Sequence, residues 1–252
     1  MPLSVLLVGE TCFARVTEFK GIDHFSETNY HSSGDLFCGM LEGLGHAVTH
    51  IPCHLVSRLY PRDLDGLGKY DAVLFSDVGS NSFLLLPEVV REGRRAVNLL
   101  KLTRDYVAAG GGFAMIGGYM TFQGMEAKGK WKETPVEDML PVTLREGDDR
   151  REMPEGADLA CVPGSHPVLS GLPAQWPYIL GYNRLKEKEG AQVPVAFEGD
   201  PIIALWEYGK GRTLAYATDC APHWAPRAMH QWEHYPRLWD NLLRWLAGGG
   251  RG

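Results

Sequence analysis

Over the first half of the chain, short apolar runs closed by glycine or aspartate alternate with longer stretches whose apolar residues recur every three to four positions. Residues 3–8 form an unbroken apolar run and read as a buried strand. Across residues 34–44, Leu36, Phe37, Met40, Leu41 and Leu44 fall at helical spacing, and Gly45 stops the pattern. Residues 47–51 and 72–75 read as two further strands. Residues 96–109 read as a helix placing Val97, Leu100, Tyr106 and Val107 inward, and residues 113–116 as a fourth strand. This order requires crossover connections, hence a mainly parallel sheet with helices on both faces.

The second half has a different rhythm. Residues 135–151 read as irregular with one short strand near Val142, and residues 166–173 are turn-rich. Residues 193–197, 202–208 and 213–218 are three strand candidates, the last two joined by Gly209-Lys210-Gly211 as a hairpin. From 236 to 247, Leu238, Trp239, Leu242, Leu243 and Leu246 fall on one helical face, and Gly248 ends the pattern. The expectation is one α/β domain over residues 1–252, a flavodoxin-like mainly parallel sheet flanked by helices with added β-hairpin strands.

Composition narrows the function classes. The chain has 252 residues, 44% hydrophobic and 22% charged, which is ordinary globular usage. The net charge is -6 and no basic stripe is present, so nucleic acid is a poor partner. No apolar run reaches the roughly 20 residues of a membrane span, and the start lacks a basic leader, so a cytoplasmic protein without membrane contact is expected. Cys12, Cys38, Cys53, Cys161 and Cys220 are odd in number and never in a C-x-x-C pair, which argues against disulfides and a structural zinc. No motif calls for a cofactor.

In open parallel sheets, ligands bind beyond the carboxyl ends of the strands. There the sequence places Glu10, Asp77, the turn Gly117-Gly118-Tyr119-Met120, Asp219 and His223-Trp224. A glycine pair straight after a strand permits a sharp turn whose apex points outward and whose amides can face an anion. The Met120 and Gly79 backbones are the candidate donors. Tyr119 can donate to a carbonyl or sugar oxygen of a small molecule.

Several pieces carry a family resemblance. They are Leu6-Leu7-Val8-Gly9-Glu10, residues 70–77, Gly111-Gly112-Phe113-Ala114-Met115-Ile116-Gly117-Gly118 with Phe122, His166-Pro167, Gly209-Lys210-Gly211-Arg212, and Asp219 with Pro222-His223-Trp224. In order and spacing the chain resembles the class I glutamine amidotransferase-like superfamily, closest to its branch of amidotransferase-like proteins without the usual catalytic Cys. The resemblance implies a flavodoxin-like sheet and a Cys at the apex of the turn after the fourth strand. Here Tyr119 stands at that position and Thr121 where a second glycine would be. The family's catalytic His is followed two residues later by Glu, whereas His223 is followed by Trp224 and Ala225. A phenol is a poor acyl nucleophile unless strongly activated, so ordinary glutaminase activity is not expected.

Other readings of the same residues stay open. Cys220 or Cys12 could supply a displaced thiol. Asp219, His223, His230 and His234 could hold a metal for hydrolysis, the two last at i, i+4 spacing. A non-enzymatic scaffold or homo-oligomer is a further alternative, with Trp224, Trp232, Tyr235, Trp239 and Trp245 as interface or core. Lys128, Lys130 and Lys132 read as a solvated loop, and Arg91, Arg94 and Arg95 as surface charge or an anion site.

Overall fold

The computed structural model describes residues 1–162 and 164–248. The strands are β1 (Ser4–Gly9), β2 (Thr11–Lys20), β3 (Asp23–Ser32), β4 (Ala47–Ile51), β5 (Ala72–Ser76), β6 (Gly112–Ile116), β7 (Val142–Thr143), β8 (Arg150–Ala157), β9 (Ile179–Asn183), β10 (Lys186–Glu187), β11 (Gln192–Phe197), β12 (Asp200–Tyr208) and β13 (Gly211–Tyr216). The longer helices are α1 (Gly34–Gly43), α6 (Leu99–Ala108) and α9 (Tyr235–Ala247). Single turns form α2 (Val56–Leu59), α3 (Leu64–Leu67), α4 (Asn81–Leu84), α5 (Pro87–Val90), α7 (Pro135–Met139) and α8 (Arg227–His230).

Seven strands form one sheet in the order β11-β12-β13-β6-β5-β1-β4. β4, β1, β5, β6 and β13 are parallel neighbours, and β12 and β11 extend the sheet antiparallel from β13. The five parallel strands follow the flavodoxin order 2-1-3-4-5, whose direction of winding reverses between β1 and β5. The expected mainly parallel sheet with added hairpin strands is therefore the observed one. β5 and β6 are buried throughout, as strands covered on both faces must be.

The closing helix α9 buries Leu238, Trp239, Leu242, Leu243 and Leu246 on the sheet. Trp239 meets Phe37 of α1 edge-on at 4.6 Å and Tyr216 of β13 at 5.0 Å, so one ring ties both ends of the chain together. Trp224 and Tyr235 are buried with it, so these three rings are core and not an interface.

Some boundaries and two hairpins differ from the sequence reading. The helix read over 96–109 begins at Leu99, because the Asn98 side chain accepts from the Leu100 and Lys101 amides and caps it there; Val97 is left exposed. In α1, Phe37 and Leu41 are buried but Leu36 and Leu44 are exposed, so its inward stripe is narrower than the spacing implied. The strand read over 213–218 stops at Tyr216. Residues 135–151 hold α7, started by Pro135 at its first turn, as well as β7. The β2–β3 hairpin and the β8–β9 hairpin were not anticipated. β2 and β3 are exposed along nearly their whole length, and polar surface strands carry little apolar signal.

Candidate functional site

β1, β5, β6 and β13 end side by side, and the residues just past their carboxyl ends converge at the winding reversal. Glu10 and Asp77 both leave their strands with positive φ, 53° and 42°, an unusual conformation for non-glycine residues. Such backbone persists only where the surroundings hold it. Here the Glu10 amide donates to the Ser76 carbonyl at 3.0 Å, and the Glu10 carbonyl accepts from the Ser33 and Gly34 amides.

The turn after β6 needs both glycines. A Cβ on Gly117 would stand 2.3 Å from the Ala217 carbonyl oxygen. Gly118 has φ of 152°, and a Cβ there would press on the Asp77 carboxylate at 2.8 Å. Asn183, from β9, clamps the turn: its Oδ1 accepts from the Gly118 amide at 3.0 Å and its Nδ2 donates to Asp149 at 2.8 Å. The Met120 amide donates to Asp77 Oδ1 at 2.7 Å. Gly79 is buried against the Met120 side chain and the 128–129 backbone. The Gly118 and Met120 amides are thus bonded within the protein rather than turned toward an open anion site.

An upper layer surrounds the apex. The Tyr119 hydroxyl donates to Glu152 Oε1 at 3.2 Å and lies 3.1 Å from His223 Nε2. With its one proton directed to Glu152, the phenol can only accept from His223, which places a proton on Nε2. The Arg150 guanidinium lies 4.7 Å over the Tyr119 ring, and Asp148 holds it there through paired hydrogen bonds. The Trp224 indole donates to Glu152 Oε2 at 2.9 Å, and its ring stacks on His223. Burial and the Glu152 carboxylate push the Tyr119 phenol above its ordinary range. This is the wrong direction for a phenolate nucleophile.

A lower layer is closed from solvent. The Ser76 hydroxyl donates to Glu10 Oε1 at 2.6 Å and lies 3.4 Å from Cys220 Sγ. Asp219 accepts from the Ala221 amide at 2.8 Å, and its carboxylate lies within 4.8 Å of that of Glu10. Burial raises the Glu10 carboxyl to about 7, with the Asp77 charge adding to the rise. Burial likewise raises Asp219 well above the ordinary range, and Asp77 is raised too. The Cys220 thiol is pushed well up, first by burial and then by Glu10 and Asp219. A thiol so placed is protonated and inert.

Of the residues expected at the strand ends, Glu10, Asp77, Gly118, Tyr119, Met120, Asp219, His223 and Trp224 share these two layers. Cys12 lies elsewhere, exposed on β2 opposite His31. The proposed four-residue metal set is not brought together. α8 ends at His230 and α9 begins at Tyr235, so His230 and His234 are separated by a turn rather than stacked on one helix. Among the described residues, the group with metal-ligating atoms within 4.8 Å of one another is Glu10, Asp219 and Cys220. Glu10 already accepts from the Ser76 hydroxyl and Asp219 from the Ala221 amide, and burial raises both carboxyls above their ordinary range. Arg91, Arg94 and Arg95 are exposed, as is Lys128 beside Glu126, whereas Lys132 reaches the Leu144 carbonyl.

Sequence reasoning missed Arg150, Glu152 and Asn183. The last closes the run Ile179-Leu180-Gly181-Tyr182 with a buried amide, a polar break that could have marked a site residue. Arg150 and Glu152 lie on a charged strand, β8, with no apolar alternation to reveal it.

A flavodoxin-ordered sheet with a glycine-built turn over buried acids at the winding reversal defines the class I glutamine amidotransferase-like architecture. The chain belongs to the family described as "Putative glutamine amidotransferase", whose profile matches residues 4–248. It is similar to two solved cytoplasmic proteins of Salmonella typhimurium. Each is 36% identical with a TM-score of 0.92; the first alignment covers 96% of this chain and 98% of that one, the second 97% and 99%. A β-galactosidase of Bacillus circulans shares the fold over 85% of this chain and 27% of its own, at 12% identity and a TM-score of 0.52. No curated protein matches the chain. Among the described residues no helix is long and apolar enough to cross a membrane.

Proposed function

We propose that this family member binds a small polar molecule at the strand carboxyl ends and has no thiol-dependent glutaminase activity. The observation that carries the reading is the apex side chain: the hydroxyl of Tyr119, at the position where the resemblance implies a thiol nucleophile, is bonded to Glu152 and His223. Thioester chemistry needs a reachable thiolate, and Cys220 is buried and protonated beneath the turn. Tyr119, His223 and Glu152 offer donors and acceptors at the surface, with the Arg150 guanidinium over the Tyr119 ring and the buried Trp224 ring stacked behind His223. Such a rim suits a ligand with hydroxyl or carbonyl oxygens. The relatives from Salmonella support a cytoplasmic location.

The test incubates the purified chain with L-glutamine and measures ammonia by a coupled assay. Wild type and Tyr119→Phe are expected to match the no-enzyme background. Ammonia release that Tyr119→Phe abolishes would overturn the reading. Saturation-transfer NMR with glutamine and glucose as polar probes checks binding: transfer is expected in the wild type and is lost in His223→Ala. No transfer to either probe counts against a polar-ligand site.

A further inference from the structure

From Cys12 to His31 every residue except Ala14 is exposed. These residues form the β2–β3 hairpin, ten paired positions long, or about 33 Å of ribbon. At its root Phe13 and Tyr30 pack on the His54 ring, at 5.0 and 5.6 Å. At its tip Phe19, Ile22 and Phe25 are 75%, 100% and 44% exposed. An isolated two-stranded ribbon is marginal in water, and large apolar side chains at its far end add a further cost. A ribbon of this kind is expected to have a binding surface.

We propose that the hairpin is an exchange arm through which two copies of this chain form a two-fold dimer, each tip seated on the other body. The argument rests on the pairing pattern. Directly opposed residues share a face, so one face carries Phe13/Tyr30 at the root, Arg15/Thr28 and Thr17/Ser26 in the middle, and Phe19/His24 at the tip. Turned end for end about a two-fold axis, this face matches itself. The tip pair meets the root pair of the other copy, ring on ring, and Arg15 meets the Thr17 and Ser26 hydroxyls. The opposite face carries the pairs Val16/Glu27 and Glu18/Phe25, and Glu27 would meet its own copy near the axis. The like charges of Glu18 and Glu27 oppose stacking of that face on its own copy.

The body supplies the matching seat. Next to His54, and so next to the root, lies a cavity of about 410 Å³ lined by His54, Leu55, Leu85, Pro87 and Val90 among others. Leu85 and Val90 are exposed, as are the neighbouring Leu59 and Val89. In the antiparallel arrangement the tip of one arm arrives where the root of the other leaves its body, which is where this apolar rim stands. A two-stranded ribbon about 33 Å long and about 10 Å wide presents roughly 330 Å² per face. Each copy would cover that face against the other arm, with the apolar rim under the other tip in addition, a contact smaller than the roughly 800 Å² per partner of a standard interface. Identical patches meeting about a two-fold axis close the assembly at two copies.

Sedimentation velocity of the full chain at tens of micromolar tests this. The wild type is expected at twice the monomer mass. Phe19→Ser and Ile22→Ser combined should shift it to monomer with an unchanged circular dichroism spectrum, since these side chains touch little of their own body. Mixing an Ile22→Cys chain with a Val90→Cys chain under mild oxidation should yield a disulfide joining positions 22 and 90 between chains, identified by mass spectrometry. A monomeric wild type, a dimer indifferent to the tip substitutions, or the absence of that cross-link overturns the proposal.

Discussion

Glu10 shows how one side chain sets the character of the site. Its carboxyl is raised to about 7 by burial, against an ordinary value of 4.5 in the unfolded chain. Between those values the folded state holds more protons than the unfolded one, so stability falls as pH rises. The contribution is fully present below about 4.5 and lost as pH passes about 7. Glu10→Gln keeps a neutral hydrogen-bonding group but cannot ionise. Chemical denaturation at pH 5 and pH 8 should show the variant losing less stability than the wild type across that interval, by on the order of 2 kcal/mol. Some slope should remain, because Asp77 and Asp219 titrate in the same sense. Equal slopes would show that Glu10 is not the buried acid that titrates there. The same burial predicts that Cys220 reacts with iodoacetamide at neutral pH far more slowly than exposed Cys12, with peptide mapping as the readout.

At the scale of elements, the turn after β6 is a close approach of backbone to backbone. A methyl on Gly117 would overlap the Ala217 carbonyl, and neither the strand nor its neighbour can yield without breaking sheet pairing. Gly117→Ala should therefore cost about 1–3 kcal/mol, measured as a lower urea midpoint with an unchanged slope. A neutral substitution would mean that the turn is looser than its packing indicates. This turn was legible in the sequence, because an apolar run followed by two glycines has few other structural uses. So were the core strands and α9, whose apolar positions follow their own periods. The arm β2–β3 and the strand β8 were not. Their residues face solvent or a polar site, and no hydrophobic period marks them. That is why Glu10 and Tyr119 could be placed in advance while Glu152, Arg150 and Asn183, which hold Tyr119 and its turn, could not. His223 seemed to lack an acidic partner because the nearby acid, Glu152, bonds the shared tyrosine and comes from a strand 71 positions away.

For the whole molecule, the two halves of the sequence read differently but build one sheet. β6 from the first half pairs with β13 from the second along five residues, Gly112 to Ile116 against Arg212 to Tyr216. α9 then returns across the sheet, where Trp239 packs on Phe37 from the start of the chain, and Arg212 donates to the last turn of α9 at the Trp245 carbonyl. The site depends on the same closure, since Glu10 and Asp77 come from one half and Asp219 and Cys220 from the other. Glu10 and Ser76 of one half meet Asp219 and Cys220 of the other at this seam, so separating the halves would open the buried acid cluster together with the sheet. Unfolding is thus expected as one transition. Tryptophan fluorescence and far-ultraviolet circular dichroism should superimpose on a single curve in urea. At fixed pH that curve should shift as a whole in both Gly117→Ala and Glu10→Gln. Two separated transitions, or a substitution that moves one probe and not the other, would show two units where the sheet pairing and the shared acids require one.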